Sequence, residues 1–169
     1  MSSEIAYLAG GCYWGMEELF RSLPGVIQTE VGFSGGHIAN VGYREVTTGT
    51  TGHAETLKIV FDPAVTTYRD LLFEFFRIHN PTKANQQGND IGTQYRSAIF
   101  YGSEAQKETA LSVITQIDKS NAWQAPIVTE VTPFQSFYPA EHKHQKYLMK
   151  VPDGYTCHFR RDLEFGESA

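Results

Sequence analysis

The hydrophobic pattern changes period abruptly near the N-terminus, and this change constrains the fold more than any other feature of the sequence. The apolar run at residues 5–9 is typical of a short buried strand, and Gly10 and Gly11 interrupt it. From Cys12 onward, apolar residues recur every three or four positions, which predicts a helix that ends at Pro24. The sequence therefore predicts a strand that leads directly into a helix, with a cysteine at the junction.

Later segments show strand and helix patterns without strict alternation. Further strands are predicted at residues 26–33, 55–61, 94–101 and 127–132, and further helices at residues 67–78, 104–119 and 140–149. Two irregular stretches, 34–53 and 80–93, are longer than most loops in compact domains, and such loops are usually functional. The pattern predicts an α+β fold: a two-layer α/β sandwich with a mixed central sheet, a ferredoxin-like core, long irregular loops and a C-terminal tail.

Length and composition favour a single domain over residues 1–169, in which residues 151–169 form an irregular C-terminal segment that carries Cys157. A net charge of −5 argues against non-specific binding to nucleic acid or anionic lipid. No apolar run is long enough to cross a bilayer, and the first residues lack the basic and apolar regions of a signal peptide. We expect a cytoplasmic protein that binds neither nucleic acid nor membranes, and we expect it to be monomeric.

The two cysteines, Cys12 and Cys157, are too few for a disulfide scaffold of the secreted type. In a reducing compartment both rest as thiols, so a bond between them would be transient and catalytic. The alternative is a pair of unrelated buried thiols. Thiolate is the nucleophilic form of cysteine, and the start of a helix favours it by only about 0.3–1 kcal/mol, less than one pKa unit. Activation of Cys12 must therefore also come from neighbouring hydrogen bonds or from the substrate.

Six short segments give the chain a resemblance to a known family. Gly-Cys-Tyr-Trp-Gly (11–15) is similar to the signature Gly-Cys-Phe-Trp-Gly of the A-type peptide methionine sulfoxide reductases. The other segments, in family order, are Gly-Phe-Ser-Gly-Gly (32–36), Tyr-Arg-Glu-Val (43–46), Thr-Gly-His-Ala-Glu (51–55), Gln-Gly-Asn-Asp-Ile-Gly-Thr-Gln-Tyr-Arg-Ser (87–97) and Ala-Glu-His-Lys-His-Gln-Lys-Tyr-Leu (140–148). The resemblance implies an enzyme that reduces methionine S-sulfoxide, in proteins or as the free amino acid, to methionine, and so repairs oxidative damage.

The resemblance implies a role for each matching residue. Cys12 attacks the sulfoxide sulfur and becomes a sulfenic acid, and Glu55 acts as the acid on the sulfoxide oxygen. Tyr43 and Tyr95 hydrogen-bond that oxygen, and Asp90 supports them through a water network. Proton delivery requires a neutral carboxyl, so the pKa of Glu55 must rise from about 4.3 to about 7, a bias of roughly 4 kcal/mol. We expect burial and the nearby negative charges to supply it. Without the resemblance, each of these residues could be an ordinary polar residue.

The resemblance also implies a substrate contact and a resolving cysteine. Tyr13 and Trp14 match the two aromatics that hold the substrate methyl group, although either could simply fill the core. Family members usually have Phe in place of Tyr13 and Tyr in place of Phe33. Many carry a resolving cysteine in the C-terminal segment, whose disulfide thioredoxin reduces, and Cys157 is the candidate here. Its alternative is a buried structural thiol. Oxidised proteins or peptides, free methionine sulfoxide and thioredoxin are therefore the expected partners, and no cofactor is expected.

Three other functions fit parts of the sequence. The histidines suggest a metal site, but the two-residue spacing of His142 and His144 points helical side chains to different faces, and no His-Glu-x-x-His motif is present. A cysteine hydrolase would need a histidine base poised on Cys12. A peptide-binding module would need the aromatics but not the cysteine. Loss of thiols on addition of methionine sulfoxide distinguishes a reductase from the last two.

Overall fold

The computed structural model describes residues 3–166, in which helices pack on one mixed sheet. The strands are β1 (Glu4–Gly10), β2 (Val26–Ser34), β3 (Ala54–Phe61), β4 (Gln86–Gln87), β5 (Asp90–Ile91), β6 (Ser97–Tyr101), β7 (Glu130–Pro133) and β8 (Tyr138–Pro139). The α-helices are α1 (Tyr13–Phe20), α2 (Tyr43–Val46), α3 (Tyr68–Ile78), α4 (Glu104–Ser120) and α5 (Tyr147–Lys150), and short 3-10 helices cover Thr93–Tyr95 and His142–His144.

The main sheet has the strand order β7-β6-β1-β3-β2-β8, and β4 pairs with β5 separately. Within it, β1, α1, β2, β3, α3 and β6 form a βαββαβ unit whose neighbouring strands are all antiparallel. The sheet is mixed because β7 runs parallel to β6. This arrangement confirms the predicted α+β sandwich with a mixed sheet and a ferredoxin-like core.

Alternation along the strands assigns each side chain to one of two faces. On β1, Leu8 belongs to the main core beneath the helices, whereas Ala9 belongs to a smaller cluster on the opposite face. On β3, Leu57 lies in the main core, so Glu55, two residues earlier, points to the same face. The backbone N–H of Tyr13 at the start of α1 contacts this carboxyl. A carboxyl group therefore occupies a position that the strand pattern usually gives to an apolar side chain.

Several boundaries differ from the sequence prediction. The strand expected from residue 94 begins at Ser97, because the residues before it form a 3-10 helix. The helix expected at residues 140–149 is instead two short pieces, since Lys146 adopts a left-handed backbone with φ of 53°. The strand expected at 127–132 begins only at Glu130. The first helix, expected to end at Pro24, ends at Phe20, and residues 21–24 form turns. The other errors lie in segments whose path depends on contacts with distant parts of the chain.

Residues 151–166 contain turns and no helix or strand, and side-chain hydrogen bonds attach them to the domain. Arg77 Nε donates to the carbonyl of Leu163 at 3.0 Å, and Gln116 Nε2 donates to that of Phe165 at 2.8 Å. The last three positions of the expected tail, 167–169, lie outside the described residues. Within 3–166, no helix combines the length and apolar character needed to cross a bilayer.

Candidate active site

Cys12 lies at the N-cap of α1, between the end of β1 and the first helical residue. It is buried, with 6% of its surface exposed, and its sulfur accepts a hydrogen bond from the backbone N–H of Trp14. That bond favours the thiolate, but burial and the nearby Glu55 carboxyl outweigh it and raise the pKa of Cys12. The resting form is therefore the thiol, in agreement with the expectation that the helix alone does not ionise it.

Glu55 is the buried carboxyl of the site, with 1% of its surface exposed. Its Oε1 accepts a hydrogen bond from the backbone N–H of Tyr13 at 3.2 Å, so the carboxyl lies against the first turn of α1. Its Oε2 has no hydrogen-bond partner among residues 3–166. Burial, reinforced by the charge of Asp90, raises the pKa of Glu55 to about 8 despite the Tyr13 bond. At neutral pH the carboxyl is mostly protonated, and its unpartnered oxygen can donate a proton.

Two phenols from separate segments meet beside this carboxyl. The phenols of Tyr43, in α2, and Tyr95, in the 3-10 helix before β6, lie close enough for each to affect the pKa of the other. Burial and the charge of Glu55 raise the pKa of Tyr43 to about 12 and raise that of Tyr95 as well, so both are neutral donors at physiological pH. Asp90 lies close enough for its charge to raise the pKa of both phenols and of Cys12. The structure thus brings together five residues predicted from the sequence.

Trp14 forms one wall of the site within a stack of rings. Its indole stacks on Tyr147 with centroids 3.9 Å apart, and its Nε1 donates to Nδ1 of His144 at 3.1 Å. The His144 ring stacks in turn on Tyr43, with centroids 4.4 Å apart. Trp14 keeps some exposed surface, whereas Tyr13 is fully buried behind the wall and its hydroxyl has no partner among the described residues. Contact of Tyr13 with a substrate methyl group stays a prediction.

Two anchors that the sequence does not reveal fix this wall in place. Glu17, buried on α1, accepts hydrogen bonds from the backbone N–H of Lys146 at 2.6 Å and from its Nζ at 3.2 Å. The amide of Gln145 accepts from the N–H of Val31 and donates to its carbonyl, both at 2.8 Å. These bonds tie the residues after His144 to α1 and β2. An acidic residue early in a helix is usually solvated, so only its burial identifies Glu17 as an anchor.

Cys157 lies beside Asp90 at the edge of the site. Its sulfur is 3.8 Å from Oδ2 of Asp90, 3.9 Å from the carbonyl of Gln87 and 3.9 Å from Nδ1 of His158. The hydroxyl of Tyr155 lies near both Asp90 and Cys157 and counteracts the rise in their pKa values. Burial and the charge of Asp90 raise the pKa of Cys157, and both cysteines are free thiols. Neither Tyr155 nor His158 was predicted as a site residue, although His158 follows the second cysteine directly and Tyr155 precedes it by two residues.

The buried histidines make specific contacts within the protein. His53, His79 and His158 each direct one ring nitrogen at a backbone carbonyl 2.6 Å away. His144 accepts the hydrogen bond from Trp14. Within residues 3–166, no cluster of three or more His, Cys, Asp or Glu side chains has the arrangement needed to hold a metal ion. These contacts account for four of the histidines without a metal site.

Known proteins match the chain along almost its whole length. A family profile described as "Peptide methionine sulfoxide reductase" matches residues 4–167. A relative from Mesorhizobium japonicum, named "Peptide methionine sulfoxide reductase MsrA 1", is 55% identical over 160 residues, which cover 95% of this chain and 91% of the relative. The matched range includes every site residue described above.

Solved structures share the fold. Mxr1 from Saccharomyces cerevisiae in reduced form superposes with a TM-score of 0.90 at 37% identity, over 95% of this chain and 93% of its own. Mxr1 in complex with Trx2 superposes with a TM-score of 0.64 at 25% identity, over 95% of this chain and 91% of its own. The sheet and helices that position the site therefore recur in a solved protein.

Proposed function

Because the chain belongs to the peptide methionine sulfoxide reductase family and has the activity of that family, we propose that this site acts on the S epimer of methionine sulfoxide, in proteins and as the free amino acid. The thiol of Cys12 attacks the sulfoxide sulfur while Glu55 delivers a proton to the oxygen. The attack forms a bond between the two sulfurs. This bond and the sulfur–oxygen bond of the substrate then break as the hydroxyl group transfers to the Cys12 sulfur, and the products are methionine and a Cys12 sulfenic acid. The proton that Cys12 loses restores Glu55, so the step needs no external acid.

The state of Glu55 is the observation that carries the proposal. A general acid must be protonated at working pH and must have an oxygen free to reach the substrate. With a pKa of about 8, Glu55 meets the first requirement, and its buried Oε2, to which no described protein group is bonded, is the oxygen that delivers the proton. A solvated structural glutamate would meet neither, because its pKa would lie near about 4.3 and water would occupy both oxygens.

The phenols of Tyr43 and Tyr95 are suited to donate hydrogen bonds to the sulfoxide oxygen. Tyr43 and Tyr95 are neutral at pH 7 and lie near both Glu55 and Cys12. Neutral donors aimed at a developing negative charge stabilise the transition state, as in an oxyanion hole. Asp90 lies near these groups, where burial raises its own pKa and its negative charge raises that of Glu55, and it can order water there. Together they would bind the sulfoxide oxygen and leave its sulfur facing the thiol.

The aromatic wall suits the methyl side of the substrate. The exposed surface of Trp14 offers an apolar face beside Cys12, and its stacking on Tyr147 fixes the plane of the ring. A methyl group held there and an oxygen held by the phenols define the configuration at sulfur. This geometric requirement supports selectivity for one epimer.

Cys157 returns the enzyme to its starting state. Its thiol condenses with the Cys12 sulfenic acid, which gives a disulfide and releases water. A dithiol then reduces the disulfide, and the complex of Mxr1 with Trx2 supports thioredoxin as that reductant here. We further propose that the enzyme is a cytoplasmic monomer that repairs oxidised proteins, since reducing conditions keep both cysteines as thiols between cycles.

Thiol counting with each resolved epimer tests the first half of the proposal. Reduced enzyme mixed with excess peptide methionine S-sulfoxide, without reductant, should form one methionine and lose both of its thiols. The R epimer should produce neither change over the same period. A hydrolase or a binding module would keep both thiols with either epimer.

Replacement of Cys157 tests the second half. C157S should still form one methionine per enzyme, because Cys12 and Glu55 are intact. Thioredoxin-supported turnover should be abolished, since no thiol remains in the chain to resolve the sulfenic acid. Unimpaired turnover of C157S with thioredoxin would remove the assigned role of Cys157.

A further inference from the structure

His158 lies between the C-terminal segment and the turn that carries Cys12. The residue is buried, and its Nε2 is 2.6 Å from the carbonyl oxygen of Gly10. A Cβ atom on Gly11 would lie 3.3 Å from Nε2, and one on Gly15 would lie 2.4 Å from Nδ1. The imidazole therefore lies directly against the backbone on both sides of Cys12, and the glycines of this segment make room for it.

The hydrogen bond to Gly10 fixes the tautomer of His158. A carbonyl oxygen can only accept, so Nε2 carries the hydrogen and Nδ1 of the neutral ring holds a lone pair. Burial, with the positive charge of Arg161, lowers the pKa of His158 to about 4, so the ring is neutral at pH 7. Its basic nitrogen, Nδ1, is the atom that lies 3.9 Å from the sulfur of Cys157.

Cys157 needs a proton acceptor if it is to attack another sulfur. Its pKa is raised by burial and by Asp90, so it rests as the thiol, whereas the thiolate is the reactive form. Three acceptors surround it: the carbonyl of Gln87, Asp90 and His158. A peptide carbonyl does not take up a proton, whereas Asp90, whose Oδ2 lies 3.8 Å from the sulfur, can, and the variant D90N separates it from His158. His158 combines an available lone pair with direct contact to the turn that carries the other reacting sulfur.

We propose that Nδ1 of His158 accepts the thiol proton of Cys157 as its sulfur attacks the sulfenic acid on Cys12. The sulfur–sulfur bond forms, the sulfur–oxygen bond of the sulfenic acid breaks, and the departing hydroxide takes the proton from the imidazolium and leaves as water. The Cys12 sulfur is reduced and the Cys157 sulfur is oxidised, so no further reagent is needed. This role rests on the proposed functions of Cys12 and Cys157.

The variant H158Q tests the role. A glutamine side chain keeps an N–H donor for the carbonyl of Gly10 but has no nitrogen that takes up a proton. Reduced enzyme is mixed with one equivalent of peptide methionine S-sulfoxide and quenched at intervals. The amount of methionine released measures how much sulfenic acid has formed, which consumes the Cys12 thiol. Any further loss of thiols measures how much disulfide has formed. Per sulfenic acid formed, H158Q should make the disulfide about 100-fold more slowly, the lower end of the range for general acid–base catalysis. Dimedone should trap the accumulated sulfenic acid.

The pH profile separates a proton acceptor from a structural anchor. The titratable or charged groups that face His158 are Cys157, Arg161 and His79. In the wild-type enzyme the rate of disulfide formation should be constant above about pH 6, because the imidazole is already neutral there. In H158Q the rate should rise about tenfold per pH unit, since attack then depends on ionisation of Cys157 itself. If His158 were only a structural anchor, H158Q would show the same pH profile of disulfide formation as the wild-type enzyme.

Matched variants make each failure distinguishable. A wild-type rate and pH profile of disulfide formation in H158Q would overturn the role of His158. Slow disulfide formation in D90N together with a normal rate in H158Q would also overturn it. If H158Q does not fold, H158N, whose amide also has no basic nitrogen, carries the same expectation. Normal thioredoxin-supported turnover of C157S would instead overturn the proposed function. A C157S that fails to turn over, beside a normal H158Q, would overturn only this inference.

Discussion

The two cysteines of the chain lie in regions that are held together in different ways. Cys12 lies between β1 and α1, and β3 supplies Glu55 to it from within the sheet. Cys157 belongs to a segment without helix or strand, attached by bonds such as that from His158 to the carbonyl of Gly10. Attack on a sulfoxide needs reacting groups that are fixed before the substrate arrives. A disulfide needs two Cα atoms within about 7 Å, and a segment without helix or strand reaches that geometry more easily than a helix does.

The largest effect is expected in the fixed region, that is, the part of the sheet and α1 that holds Cys12 and Glu55. Glutamine in E55Q has the shape of a neutral carboxyl but no acidic proton, so the first-turnover rate should fall by about 10²–10⁴-fold. The wild-type rate should itself fall as the pH rises through about 8, because the protonated form of Glu55 is the active one. E55Q should lack this dependence. The exposed E108Q is the control, and a normal rate in E55Q would show that another group supplies the proton.

Removal of the buried anchor of the wall should mainly lower stability. In E17A the backbone N–H of Lys146 and the hydroxyl of Thr29 lose their buried acceptor. We expect the free energy of unfolding in urea to fall by on the order of 3 kcal/mol. Its neighbour Glu18 pairs with Arg21 at 2.8 Å at the surface, so E18A should change stability by about 1 kcal/mol or less. Equal losses in the two variants would contradict the distinction between an anchored wall and a solvated surface.

A substitution at the contact between the two regions should affect the tail selectively. A Cβ on Gly15 would lie 2.4 Å from Nδ1 of His158 and 2.5 Å from Oγ1 of Thr156. Overpacking of this kind costs about 1–3 kcal/mol, so in G15A disulfide formation should slow by about tenfold. Quenched thiol counts measure it. G102A is the matched control, because its Cβ would meet only Gln106 at 3.6 Å. An undiminished rate in G15A would mean that docking of the tail is not required.

The smallest effect is expected within the fixed region, at Tyr13. Its hydroxyl is buried and has no hydrogen-bond partner among residues 3–166, which is unfavourable by about 1 kcal/mol or more. Y13F should therefore raise the free energy of unfolding by about 1 kcal/mol in a denaturant titration. Tyr68 also has a buried hydroxyl without a hydrogen-bond partner among residues 3–166, so Y68F should raise the free energy of unfolding by a similar amount. A loss of stability in Y13F alone would show that its hydroxyl has a functional or water-mediated partner.

The agreement between sequence and structure is closest where local pattern decides the outcome. The change of period at Gly10 and Gly11 predicted the strand, the helix and the position of Cys12 between them, since hydrophobic period and glycine are local signals. The boundaries after residue 140 were wrong because Glu17 and Gln145 determine the path of that segment through contacts with α1 and β2. No window of sequence contains both partners of such a contact.

By itself, the sequence determined the order of the elements, the family resemblance and the kinds of chemical group in the site. It named Cys12, Glu55 and Cys157 and led to the expectation of two thiols and a neutral Glu55, but it could not supply the cause. Only the tertiary structure shows the burial and the neighbouring charges that raise the pKa of both cysteines and bring that of Glu55 to about 8. It also decided that the lone pair of His158 faces Cys157. The reason is that pKa and tautomer depend on burial and on neighbours from distant parts of the chain, and the junction around Cys12 acquires both only when the tail and β3 pack against it.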